Sequence, residues 1–286
     1  MKLIIVYNPT TYGYEERLDL FKKAAENKGL QFVPISFFDL DDRLKIKSLN
    51  SFPHYLIRLG YSTRHKLVET LSHNTISEFD NIFTFFSNDI KFDLNLIRLG
   101  LRGLKTISKK FFKLYDLSLE SIVDHLGDFP IVLKRSGLSK GEGVFKVDNI
   151  EQLKHMINLF DVENYNYSFK EFYPHHSQGR YITVDKKFVA GHLNIVGDDF
   201  RSNVGDNSIR KRKNYEFEQD VKDYVSKIDS ILVANFSGYD ILFGNDGSFL
   251  ACEKNSPCNF AMTQNMTGIN IAEVFIDSLI ANKKML

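Results

Sequence analysis

Asp240, Glu253 and Asn255 carry the oxygens, at the spacing, that a divalent metal site needs. They lie in G-Y-D-I-L-F-G-N-D-G-S-F-L-A-C-E-K-N, residues 238–255. The pattern predicts a short strand over 239–243, turn chemistry at Gly244 to Gly247 and a returning strand over 248–253. Such a hairpin brings Asp240 opposite Glu253, and Asn255 follows on the same face of the strand as Glu253. Two carboxylates and an amide oxygen are hard ligands, suited to Mg²⁺, which leaves its other positions to water or phosphate. The plainer alternative makes Asp240 a strand end, Glu253 a solvated edge charge and Asn255 the start of a turn.

A second group of residues could hold the phosphates. The run F-P-I-V-L-K, 129–134, reads as a strand that leads into Gly137 to Gly143, and 144–147 returns. Glycine lets main-chain N–H groups approach phosphate oxygens closely, and Lys134 would add a charge to the same place. Arg201 follows two aspartates in D-D-F-R-S-N, where it could also serve only as a surface ion-pair partner. The basic run Arg210 to Lys213 reads as a solvated loop or as a dock for an acidic peptide tail. No G-x-G-x-x-G follows the first strand and no G-x-x-x-x-G-K-[ST] occurs, so neither a classical dinucleotide site nor a P-loop is expected.

The remaining elements must position these groups. A chain of 286 residues, 43% hydrophobic and 26% charged, is globular and long enough for two or three domains. With 37 basic against 36 acidic residues, no wholesale attraction to nucleic acid or membrane is expected. Cys252 and Cys258 read as reduced thiols, no run approaches a membrane span or signal peptide, and a cytoplasmic protein is expected. Strands over 3–7, 30–37 and 55–59, with helices over 15–27 and 63–71, predict a small doubly wound β-α-β domain through about residue 88. Beyond it the pattern predicts a helical stretch from Lys91, a lysine-loaded edge strand over 105–114 and a helix over 119–126. A helix over 150–160, an aromatic strand over 167–173 and a hairpin of 179–184 with 188–195 come next. Helices over 216–234 and 269–281 complete the set.

In this order the strand–lysine–glycine loop, K-E-F-Y, D-F-R-S-N, the G-Y-D-I-L and C-E-K-N pair and T-G-I-N-I-A resemble the ATP-grasp superfamily, and within it the RimK-like carboxylate–amine ligases. The resemblance spans roughly residue 88 to the C-terminus. It implies an α/β (in part α+β) ATP-grasp fold with the nucleotide between two α+β subdomains, 89–173 and 174–286, preceded by the domain 1–88. It further implies Lys91 and Lys134 on the ATP phosphates, Ser139, Lys140, Gly141 and Gly143 in a lid, and Glu171 and Phe172 at the adenine hinge. Arg201 would be catalytic at the transferred phosphoryl group with Ser202 and Asn203 beside it, and Asp240, Glu253 and Asn255 would bind Mg²⁺ or Mn²⁺, as two ions. Expected partners are ATP, a carboxylate-bearing peptide or amino acid, an amine donor and an acidic protein or peptide tail, with neither nucleic acid nor membrane; an oligomer is compatible.

The sequence departs from the family pattern in several places. One is a short segment from Ile182 to Phe200 that lacks the basic residue commonly found before D-F-R-S-N, where His192 and Asn194 are the candidates to replace it. Matching the family's G-x-D-I-R-V onto 179–184 puts Tyr181 where an acid is expected and Thr183 where an arginine is expected. Lys254 replaces an aliphatic residue within E-x-N, and no glycine follows Pro257. On that matching an alternative function arises, a catalytically degraded ATP-binding protein with a regulatory or assembly role.

Overall fold

The computed structural model describes residues 1–10, 13–39, 54–59, 75–77, 89–136, 141–196, 200–201, 211–231, 235–256 and 258–283. Its first sheet is wholly parallel, in the order β2-β1-β3-β4, from β1 (Lys2–Tyr7), β2 (Gln31–Ser36), β3 (His54–Leu59) and β4 (Thr75–Ser77). β1 is apolar and buried at every interior position, as a strand covered on both faces must be. Helix α1 (Tyr14–Asn27) joins β1 to β2. The helix expected over 63–71 lies outside the described residues, and β4 is an addition to the expected strands. The core of this sheet is not private. Leu3, Ile5, Phe21 and Ile57 share one buried cluster with Ile182, Phe236, Phe260 and Phe275, all far along the chain.

The central sheet is antiparallel, in the order β5-β8-β6-β7, from β5 (Thr106–Ser108), β6 (Ile131–Arg135), β7 (Val144–Val147) and β8 (Tyr167–Glu171). Helices α4 (Leu119–Leu126) and α5 (Ile150–Val162) bury one face through Ile122, Leu126, Leu153, Ile157 and Phe160 against Ile131, Leu133 and Phe169. The edge strand expected over 105–114 is corrected: only 106–108 pair, and α3 (Lys109–Leu114) follows. The Ser108 side chain accepts from the Phe111 N–H at 3.1 Å, a cap that starts a helix where the lysine-rich pattern suggested a strand. Helix α2 (Asp89–Arg98) precedes β5 and carries Lys91 in its first turn.

The large sheet is antiparallel, in the order β11-β10-β9-β12-β13. It contains β9 (His175–Val184), β10 (Lys187–Ile195), β11 (Arg212–Asn214), β12 (Phe236–Gly244) and β13 (Phe249–Asn255). One face packs on α6 (Gln219–Asp229) through Tyr181, Tyr239, Ile241, Ala251, Phe217, Val221, Val225 and Ile228. Helix α6 is shorter than the expected 216–234, starting after Glu218. Part of the basic run is not loop: Arg212 and Lys213 belong to edge strand β11. Helices α7 (Ala261–Thr267), which was not foreseen, and α8 (Ile271–Lys283) close the chain.

Candidate active site

On β12 and β13 the metal candidates meet across the hairpin, through a bulge. Asp240 is the register partner of Glu253, and Gly238 that of Asn255. Strict alternation back from Glu253 would put it on the opposite face from Leu250. A bulge between Asp240 and Ile241 makes Cys252 the extra residue, so Leu250, Glu253 and Asn255 share the face of Asp240 and Leu242. Leu242, Leu250 and Cys252 pack with Leu104 and Tyr173. The same face therefore changes from apolar to acidic within one residue pair, which suits a ligand with an apolar end and an anionic, metal-binding end.

The acids extend into a row across the sheet. Asp240 is also the register partner of Arg180 on β9, and Arg180 is that of His192 on β10. Arg180 Nε lies 3.1 Å from Asp240 Oδ1, with the carboxylate side chain only 5% exposed. Burial pushes the Asp240 carboxyl up from the usual carboxylate range; the Arg180 charge opposes this, Glu253 reinforces it, and a Gln178 hydrogen bond again opposes it. Gly238 makes room for the arginine: a Cβ there would meet Cys258 Cβ at 2.6 Å and an Arg180 terminal nitrogen at 3.1 Å.

These facts correct the motif matching. Tyr181 and Thr183 do not point at the acids; they lie on the α6 face, 2% and 1% exposed, and the Tyr181 ring packs on Phe188 and Phe217. Arg180 and Gln178, one and three positions before Tyr181, hold the positions beside Asp240. Arg180, not Thr183, is the side chain that meets Asp240. Lys254 is likewise accounted for, since it pairs with Tyr239 on the α6 face and its charge acts on Asp229.

The facing side of the central sheet is basic. With Ile131, Leu133 and Phe169 turned to the helices, register alternation turns Val132, Lys134, Val144, Lys146, Ser168 and Lys170 the other way. Lys134 reaches across to Glu253, Nζ to Oε2 3.7 Å. Arg201 donates to the carbonyl of Val144 at 3.3 Å, and Val144 is the register partner of Lys134. So Lys134 meets the Asp240–Glu253 pair, with Asn255 two residues along β13 and Arg201 anchored on the strand beside Lys134. Gly141 and Gly143 sit in the turn between β6 and β7, where their carbonyls accept from Val144 and Arg135 N–H at 3.2 and 2.7 Å. Ser139, Lys140, Ser202 and Asn203 lie outside the described residues.

Glu171 ends β8 with its carboxylate held by Arg102 at 2.5 Å and by the Lys105 N–H at 3.2 Å. Phe172 follows it, its ring against Phe200 and 5.3 Å from Lys146 Nζ. Both line a cavity of about 540 Å³ with Arg102, Lys105, Phe129 and Pro174. Lys170 was missed by the sequence reading. It is buried and 3.4 Å from Asp93 of α2, which also accepts from Thr106 at 2.7 Å. This network fastens the helix bearing Lys91 to the central sheet. The legible signal for Lys170, as for Arg180, was a lone charge inside an otherwise buried strand.

Neither Cys252 nor Cys258 is in a disulfide, and burial pushes the Cys252 thiol well up. No helix among the described residues is long and apolar enough to cross a membrane.

Comparison with known proteins identifies the fold and the family. No curated protein matches the chain. Among solved structures, the ATP complex of D-alanine–D-alanine ligase from Bacillus anthracis superposes with a TM-score of 0.73 at 14% identity, over 100% of this chain and 98% of that one. The D-cycloserine synthetase DcsG gives 0.71 at 11% identity, covering 99% of each chain. The macrocyclase MdnC from Microcystis aeruginosa MRC, bound with precursor peptide MdnA, gives 0.69 at 13%, over 98% of this chain and 100% of that one. These likenesses show the fold, that of ATP-grasp ligases. The RimK-like ATP-grasp domain model matches residues 99–279, well over half of the sequence, and the chain belongs to the RimK-like ATP-grasp family.

Proposed function

We propose that the protein is an ATP-dependent carboxylate–amine ligase that forms an amide through an acyl-phosphate, releasing ADP and phosphate. The supporting observation is the meeting of two opposed surfaces, the Arg180–Asp240–Glu253 row and the Lys134 side of the central sheet, at a separation bridged by one ion pair. Bound MgATP would supply the phosphoryl group and the divalent charge, with two ions held by Asp240, Glu253 and Asn255. These three are an all-oxygen set with one buried carboxylate already balanced by Arg180, which fits a hard cation that keeps part of its water shell. Lys134 and Lys91 would bind phosphate oxygens, and Glu171 and Phe172 would border the base. Ser139 to Gly143 would close over the triphosphate with Ser202 and Asn203 nearby. Arg201, anchored at Val144, would stabilise charge on the transferred group, while Arg180 orients Asp240 and adds positive potential.

In this reading residues 1–88 form the preceding domain, 89–173 the lid-bearing subdomain and 174–286 the metal-bearing one. The substrate is a peptide, protein tail or amino acid with a free carboxylate, joined by an amine donor. The degraded-binder alternative loses its best argument, because Tyr181 and Thr183 face away from the acids. ADP release with and without pooled carboxylates and amines tests the proposal: amine-dependent turnover with a condensed product in the mass spectrum supports it, and ATP binding without turnover in any mixture defeats it.

A further inference from the structure

On the back of the large sheet, Asp229 ends α6 fully buried. Tyr239 donates its hydroxyl to Asp229 Oδ1, and the positive charge of Lys254 opposes the upward push that burial gives this carboxyl. Tyr239 and Lys254 are register partners. One directly precedes Asp240, and the other stands between Glu253 and Asn255. The backbone ladder is interrupted at this point by the bulge between Asp240 and Ile241. A bulge leaves a residue unpaired and lets the strand bend, so the ligand positions sit where main-chain pairing constrains them least. A buried carboxylate hydrogen-bonded to β12 from behind, with the β13 charge of Lys254 acting on it, supplies a constraint there.

We infer that Asp229 is a positioning residue: through Tyr239 and Lys254 it holds β12 and β13 at the spacing Asp240, Glu253 and Asn255 need to bind metal. The inference rests on the reading of those three as the metal set. Mg²⁺ demands near-ideal octahedral distances, so a small shift between the two strands weakens the ion selectively. Contacts of Lys134 and the hinge with the nucleotide come from other elements and do not depend on it. The packing of Val221, Val225 and Ile228 keeps α6 on the sheet when the polar link is cut.

The test is ADP binding to the full chain by calorimetry, with and without Mg²⁺, for Asp229→Asn and Lys254→Met. Each substitution is expected to weaken Mg²⁺ about 10-fold while metal-free ADP binds within about twofold of wild type. The double variant is expected to be no worse than the poorer single one, because both act through one link. Equal losses for ADP with and without metal, or unchanged Mg²⁺ affinity, overturn the inference. Should Asp229→Asn fail to fold by circular dichroism, Tyr239→Phe, which removes one hydroxyl, must show the same split. Glu253→Gln is measured alongside; if it leaves Mg²⁺ affinity intact, the metal set itself is misassigned, a failure distinct from that of Asp229.

Discussion

Lys134 and Glu253 come within 3.7 Å of each other from two different sheets, one side chain 24% and the other 40% exposed. They form an ion pair between the two sheets, and in the proposed function a metal–phosphate group would come between them. Exposed pairs of this kind add little to stability, so removing either tests function cleanly.

Glu253→Gln and Lys134→Met should each lower ADP formation by roughly 10²–10³-fold. They should differ in binding: Lys134→Met weakens metal-free ADP, whereas Glu253→Gln weakens only the metal complex. Unfolding free energies should stay within about 1 kcal/mol of wild type. Steady-state turnover, titration with ADP and denaturant melts check the three statements.

Arg180 carries more structural weight, because its partner Asp240 is buried. Arg180→Met leaves that carboxylate without its counter-charge, and should cost about 3 kcal/mol of stability as well as turnover. Tyr181→Phe and Thr183→Val, on the opposite face, should leave turnover within about twofold, since neither residue touches the acid row. Activity lost in Tyr181→Phe but kept in Arg180→Met would reverse the assignment of the two faces.

His192 gives the fold a defined acid sensitivity. Burial lowers its pKa from 6.5 to about 3, and the charges of Arg180 and Arg212 push in the same direction; its Nδ1 lies 2.9 Å from Thr263 Oγ1. The unfolded chain takes up a proton below 6.5 that the native one refuses, so stability is full above that pH and falls as pH drops toward 3. Between pH 7 and pH 5 this contribution amounts to about 2 kcal/mol. His192→Gln should lose about that much of the wild-type pH dependence in urea melts.

Gly179 lies under an aromatic ring. A Cβ there would sit 2.6 Å from the Phe217 ring and 3.0 Å from that of Phe243. Gly179→Ala should therefore destabilise by about 1–3 kcal/mol. Phe217→Leu in the same chain should recover part of the loss, measurable as coupling in a double-mutant cycle. Strict additivity would mean that the crowding is not with Phe217.

Much of this was written locally. The β12–β13 hairpin and the shared face of Glu253 and Asn255 followed from turn residues and alternation, and β1, α1, α4 and β6 from apolar pattern and length. Where local signals competed, the reading slipped: Ser108 as a cap outweighed the strand-like run after it, and α6 stopped short of its expected end.

The sequence by itself determined which residues could do chemistry and in what order they occur, because ligand type, turn chemistry and periodicity are properties of neighbouring residues. Only the tertiary structure decided which faces they occupy. One extra residue in a bulge turns Glu253 toward Asp240, and a register between β9 and β12 sets Arg180, not Thr183, beside that acid. Registers and bulges follow from packing both faces of a sheet at once, against α6 on one side and the site on the other, and no local window of the chain contains both constraints.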